Sequence, residues 1–387
     1  MTDPAPSPAA DLRVEGASVV VYRLYDVGYE VRLDRALDLL ASSAPERVRP
    51  VRGEAQAIQI ANPPITVILG QESVVLDGEA FAGVAGGLYP VEISARVFDF
   101  GALSLRLRLE APDGTTWREY TRLGNAVERS DALASLFAHH LRLLAARIGP
   151  AVDRPLVAAQ TEDYLVYRVA RLVRPDGSTA PPELLGDEDV VPLLLDESRP
   201  LSPGARRELL PHRFSYYPDD LAILTWDNAL IVEPRAHDTD VQFLLEFANA
   251  QLLELRYYDA LLDAELPRMY DRVAAVRAGG ARALLRRRYA PLLGDLQAQV
   301  ADSTELVERV ENALKVTDDV YLARVYTAAL EIFRARAWRA GIDRKLAIIR
   351  ETYAMLSAES QAARAEALEA AIVLLIVAEI AMGLLRG

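Results

Sequence analysis

Leu103-Ser104-Leu105-Arg106-Leu107-Arg108-Leu109 alternates without a break between leucine and a polar side chain. A strand turns successive side chains to opposite faces. The pattern therefore predicts one sheet face of leucines and an opposite polar face, as a half-buried sheet requires. Pro112-Asp113-Gly114 reads as a turn and residues 115–120 as the returning partner strand. Upstream, the β-branched run Ser18-Val19-Val20-Val21-Tyr22 reads as a buried strand. Residues 32–41 carry Leu33, Leu37 and Leu40 at helical spacing. Downstream, Ser130 is placed to cap a helix running to about Ile148, where Gly149-Pro150 stops it. A further strand is expected over residues 164–173, before the turn Pro175-Asp176-Gly177. Residues 221–226 and 229–232 flank Asp227-Asn228 as a hairpin. Strands outnumber helices and short turns join them, which points to an α+β domain and away from a doubly wound nucleotide-binding fold.

The texture changes at about residues 235–238. Prolines crowd the first part, and after Pro234 only Pro267 and Pro291 remain. From Asp238 onward there are 19 basic and 22 acidic residues, a net of −3, so residues 1–237 carry −10 of the total −13. That balance argues against a broad nucleic-acid footprint, which needs a basic surface to displace counterions. The absence of cysteine excludes disulfides, thiolate metal sites and cysteine catalysis. Residues 1–11 are rich in Pro and Ala and lack the basic and apolar regions of a signal peptide, so a disordered start is expected. The α+β domain then spans 12–237 and a helical, coiled-coil-like domain 238–367.

Within the helical part, Asp238 or Asp240 is expected to cap a segment with Val241, Leu244, Leu245, Ala248, Leu252 and Leu255 as one stripe. Phe243 and Phe247 broaden that stripe, so neighbours must cover it. Further helices are expected over about 281–314 and 318–340. Gly341 is read as the punctuation before a last helix from Asp343. Its Leu346, Ile349, Tyr353, Leu356, Ala363, Ala367 and Ala370 keep the spacing of an antiparallel coiled-coil seam.

Residues 368–386 form a hydrophobic tail. Ile372, Val373, Leu374, Leu375, Ile376, Val377 and Ile380 are interrupted by Glu379 alone, and no polar stripe runs along them. The apolar run covers about 24 Å as a helix, against a hydrocarbon core of about 30 Å. A membrane anchor is the expectation here, with Glu379 protonated or paired within an oligomer.

Three stretches resemble the required-for-meiotic-nuclear-division family. Phe98-Asp99-Phe100-Gly101-Ala102 is similar to that family's early Phe-Asp-Tyr-Gly-aliphatic strand. Ala248-Asn249-Ala250-Gln251 followed by Glu254 resembles its Ala-x-Ala-Gln helix, with Leu252 in place of the usual serine. The tail from Leu368 to Ile380 resembles its closing anchor. The resemblance implies a membrane-anchored, non-enzymatic protein and brings no catalytic residues or cofactor with it.

Candidates for chemistry are few. Asp99-Phe100-Gly101 matches the kinase magnesium triplet, but no His-Arg-Asp loop accompanies it, so a strand-end turn is the reading. Gly83-Val84-Ala85-Gly86-Gly87 lacks any Gly-Lys-Ser/Thr and reads as a loop. His139 and His140 point about 100° apart on a helix and do not share a metal easily; His212 and His237 stand apart from them. His237-Asp238-Thr239-Asp240 suits a helix start. Glu246 and Glu254 lie on one helical face near Gln251, a spacing open to acid–base work or to arginine pairing. Arg286-Arg287-Arg288 with Arg282 is a basic run, read as a solvated face. The expectation is a non-enzymatic scaffold anchored to membrane lipid, with its amino-terminal bulk in the cytoplasm, self-associating through the tail. The alternative is a soluble enzyme or ligand-binding protein whose tail is buried in an oligomer interface.

Overall fold

The computed structural model describes residues 11–47, 62–76, 87–197, 199, 201–234, 239–278, 294, 301 and 319–386. Strands follow in chain order as β1 (Arg13–Glu15), β2 (Ser18–Asp26), β3 (Glu30–Val31), β4 (Glu46–Arg47), β5 (Ile65–Val75), β6 (Leu88–Val97) and β7 (Ala102–Glu110). After them come β8 (Val152–Asp153), β9 (Thr161–Val169), β10 (Arg171–Val173), β11 (Thr179–Ala180), β12 (His212–Phe214), β13 (Leu221–Leu224) and β14 (Asn228–Val232). The helices are α1 (Leu33–Leu40), α2 (Trp117–Glu128), α3 (Ala132–Ile148), α4 (Asp187–Leu194), α5 (Pro203–Leu209), α6 (Asp240–Ala278), α7 (Val320–Ile332) and α8 (Ala335–Arg386).

The fold is α+β around one large mixed sheet, with helices at the carboxyl-terminal end of the chain. Nine strands lie in the order β12-β13-β14-β9-β2-β7-β6-β5-β4. Neighbours are antiparallel except β14 and β9, which run parallel. The leucines of β7 all enter the main core, with Val19 and Val21 of β2 and Leu165 and Tyr167 of β9. Trp117 and Leu123 of α2, Phe137 and Leu144 of α3, and Val190 of α4 close that core from above one sheet face.

The expected half-buried sheet is corrected by the second face. Ser104 and Arg106, on the polar side of β7, are buried, as are Ser94 and Arg96 of β6 and Tyr22 of β2. Helix α6 covers them, so polar alternation here marks a lined interior and not a wetted surface. Residues 115–120 are also corrected, from strand to helix start. Thr116 accepts from the Glu119 N–H at 3.3 Å and its own N–H reaches Glu119 Oε2 at 3.0 Å, a capping box that opens α2. Ser130 is not a cap, since α3 begins at Ala132 after Asp131. Strand 164–173 breaks at residue 170 into β9 and β10, which belong to different sheets. The two Pro-Asp-Gly turns hold, with Gly114 and Gly177 both at φ +84°.

The chain divides into two compact units, Met1–Glu254 with Asn312–Ala335 and Leu255–Glu311 with Arg336–Gly387. The sheet lies in the first. In the second, Arg256 lies over the Trp338 ring at 5.5 Å, and Lys345 Nζ is 2.7 Å from both Asp259 and Asp263. Contacts therefore advance along α6 and α8 together. The two helices run parallel. They are not neighbours in sequence, since α7 lies between them in chain order. The break falls at Arg334, φ +51°, not at Gly341, which is inside α8. The helix expected over 281–314, the loop at 83–86 and the Arg286 run lie outside the described residues.

Candidate functional site

The first turns of α6 bring together the motifs the sequence singled out. Thr239 caps the helix, its hydroxyl oxygen accepting from the Gln242 N–H at 3.1 Å, while Asp240 is the first helical residue and Asp238 lies outside the described residues. The helix then buries nearly every side chain to Leu255. Such a helix is sandwiched: on one side lies the sheet's polar face, on the other α7. Gln242 donates to the Tyr22 hydroxyl, and Glu246 pairs with Arg96, whose guanidinium lies 4.9 Å from the Phe243 ring centroid. Toward α7, the Tyr326 hydroxyl donates to Gln251 Oε1. Ala248 and Ala250 are fully buried, and Asn249 turns its amide back to Leu245 O at 2.9 Å.

The Phe98-Asp99-Phe100-Gly101 turn meets this helix directly. Phe98 and Phe100 stack on each other at 5.2 Å and sit 5.9 Å and 6.0 Å from Phe247. Gly101, at φ +100°, is pressed against the chain after β2; a Cβ there would lie 1.9 Å from Gly28 O. Val27 N–H donates to Gly101 O and Val31 N–H to Asp99 O. The Asp99 carboxylate accepts from the Asn62 amide at 3.0 Å, and burial raises its pKa. Asp-Phe-Gly here is the turn of the β6–β7 hairpin, and among the described residues no group of three His, Asp or Glu could hold a metal ion.

Two carboxyl groups are the chemically unusual members of the site. Asp26 ends β2, is 4% exposed, and accepts from the Gly28 N–H at 3.0 Å. Burial pushes its pKa up to about 6, against that single stabilising hydrogen bond. Glu254 is 1% exposed and its Oε1 has no hydrogen-bond partner. Burial first, and the nearby Asp26 charge second, hold it well above the usual carboxylate range. The two glutamates of one helical face thus part company: Glu246 takes an arginine, and Glu254 faces an acid. Burial thus favours the protonated form of both carboxyl groups. Asp26 escaped sequence reasoning because only the fold sets it against Glu254.

The histidines do not converge. His139 and His140 meet edge to face at 5.2 Å, but His140 is buried 3.5 Å from Glu72 and His139 is exposed. Burial lowers the His140 pKa. His212 stacks on Phe214 in β12, and His237 lies outside the described residues. In the tail, every residue from Leu368 to Met382 is exposed, including Ile372, Val373, Leu374, Leu375, Ile376, Val377, Glu379 and Ile380. Among the described residues no helix is long and apolar enough to cross a membrane.

An antiparallel-rich sheet with α2, α3 and α4 on one face and a polar layer buried under α6 on the other defines the α+β domain. The chain belongs to the family described as Uncharacterized protein MJ0711, N-terminal domain, which matches residues 16–239. It is similar to the Uncharacterized protein MJ0711 of Methanocaldococcus jannaschii, 28% identical over 179 residues. That match takes in 46% of this chain and 53% of the relative, so the chain spans about half the length of the protein it resembles. No solved structure matches it.

Proposed function

We propose that this protein is a non-enzymatic scaffold that holds its α+β domain at a cytoplasmic membrane surface through the apolar end of α8. The observation that carries the reading is the unbroken exposure of Leu368 to Met382. Consecutive helical residues step about 100° around the axis, so side chains such as Leu374 and Leu375, 68% and 70% exposed, leave no covered face. Apolar surface on that scale is a site of association with lipid or protein. At about 1.5 Å per residue the run enters the hydrocarbon layer without bridging its ~30 Å. The likeness to the required-for-meiotic-nuclear-division family, in Phe98–Gly101, in Ala248–Gln251 and in the tail, supports the same reading.

Liposome flotation of the full chain and of a chain lacking residues 368–386 tests it. The full chain is expected to float with the vesicles and the shortened one to stay at the bottom of the gradient. A full chain that remains in solution without detergent overturns the anchor. If it also sediments as a tail-dependent dimer, the tail is an oligomer interface.

A further inference from the structure

Strand β12 is the outermost strand of the nine-stranded sheet, and among the described residues no strand pairs with its outer edge. Beside it runs the exposed face of α7. Phe214 of β12 and Val320, Ala323, Arg324, Thr327 and Ala328 of α7 line an open groove of about 440 Å³. Val320, 76% exposed, is the most open large apolar side chain there. A helix of this length runs about 20 Å, which matches about six residues of extended chain at ~3.3 Å each.

The groove carries one cation of its own. The Arg324 guanidinium lies over the Phe214 ring at 5.9 Å, and among the described residues it makes no ion pair. At the far end of α7, Arg334 lies in the same way over Trp226 at 5.8 Å. An arginine held over a ring and left without a carboxylate can receive one from outside. Of the two acids that line the groove, Asp319 is committed to the α7 cap, accepting from the Leu322 N–H at 2.9 Å, and Glu331 lies at the other end.

We infer that this groove binds an extended peptide segment of a partner protein, added as a further strand on β12, with an acidic residue on Arg324 and small apolar side chains against Val320 and Ala323. Main-chain hydrogen bonds to an open sheet edge give such a strand its affinity, and the alternate side chains give it selectivity. An aromatic and arginine surface also suits single-stranded nucleic acid. The open strand edge, which offers main-chain donors and acceptors to a partner strand, favours the peptide. The inference stands apart from the membrane anchor, since neither vesicles nor the tail enter its test.

The test is selection of twelve-residue linear peptides from a random display library on the full chain. Synthetic copies of the selected peptides are then measured by fluorescence anisotropy. The selected sequences are expected to alternate β-branched residues around one acid. Binding should weaken about tenfold or more in Arg324→Gln and in Val320→Asp, and likewise on N-methylation of alternate peptide amides. Arg324→Lys should keep part of the affinity. Both positions are exposed, and a thermal melt of each variant confirms the fold. The inference is overturned if no peptide is enriched. It is equally overturned if the enriched peptides bind both variants as they bind the parent, or if oligouridylate binds through these residues while no peptide does.

Discussion

Asp26→Asn isolates the proton held beneath α6. Asparagine keeps an oxygen for the Gly28 N–H, 3.0 Å away, and removes the titration. The rise from an ordinary 3.8 to about 6 amounts to about 3 kcal/mol, at roughly 1.4 kcal/mol per pH unit. The sign follows from where protons sit. Below about pH 4 the carboxyl is protonated both folded and unfolded, and it contributes no pH dependence. Between about 4 and 6 the folded chain holds a proton that the unfolded chain has released, so stability falls as the pH rises. Above about 6 the loss is complete. Denaturant unfolding at a series of pH values from 4 to 8 reads this directly. The variant is expected to match the parent near pH 4 and to exceed it by up to about 3 kcal/mol at pH 8. Because the Asp26 charge is one of the two causes that raise Glu254, the variant should also shift the Glu254 titration to lower pH. A variant that is less stable at pH 8, or offset by a constant amount at every pH, refutes the account of a desolvated carboxyl.

Glu246→Leu should cost about 3–5 kcal/mol, because it leaves the buried Arg96 charge uncompensated. The double variant Arg96→Met, Glu246→Leu should recover most of that loss, and equal unfolding midpoints for single and double variants would argue against a buried ion pair. Gly101→Ala must displace Gly28 O from 1.9 Å and should cost about 3 kcal/mol or more, whereas Gly149→Ala, with nothing within 4 Å, should be nearly neutral. Thermal melting of the two alanine variants side by side checks the contrast.

How much of this was legible in the chain depends on how local each cause is. The leucine alternation of β7 and the hairpin around Asp227-Asn228 were readable, because strand pleat and turn chemistry act within a few residues. The opening of α2 was also local and still misread. Thr115, Thr116, Trp117 and Tyr120 favour strands, while the Thr116 and Glu119 spacing that overrides them is a capping signal. The covered second face was not readable from β7 at all. Its Ser104 and Arg106 look like surface residues until a helix over a hundred positions later supplies Gln242 and Glu246 to the same layer. The Asp26 and Glu254 pair has the same character, since each residue alone is an ordinary acid. The aromatic turn and the buried helix were each noticed, but their meeting through Phe247 belongs to the tertiary fold.

Helix α6 makes the visible seam at residues 235–238 a poor place to cut the gene. Its turns up to Glu254, and the Asn312–Ala335 segment, belong to the same compact unit as the sheet. A fragment ending at 238 would keep all nine strands and lose their lid, leaving Arg96 without Glu246, Phe98 and Phe100 without Phe247, and Tyr164 without Phe333. Half of the sheet would then meet water with a surface built to be dry. The smallest expressible piece of this molecule is discontinuous in sequence, and a working excision would have to splice α7 back to α6 across the residues between them.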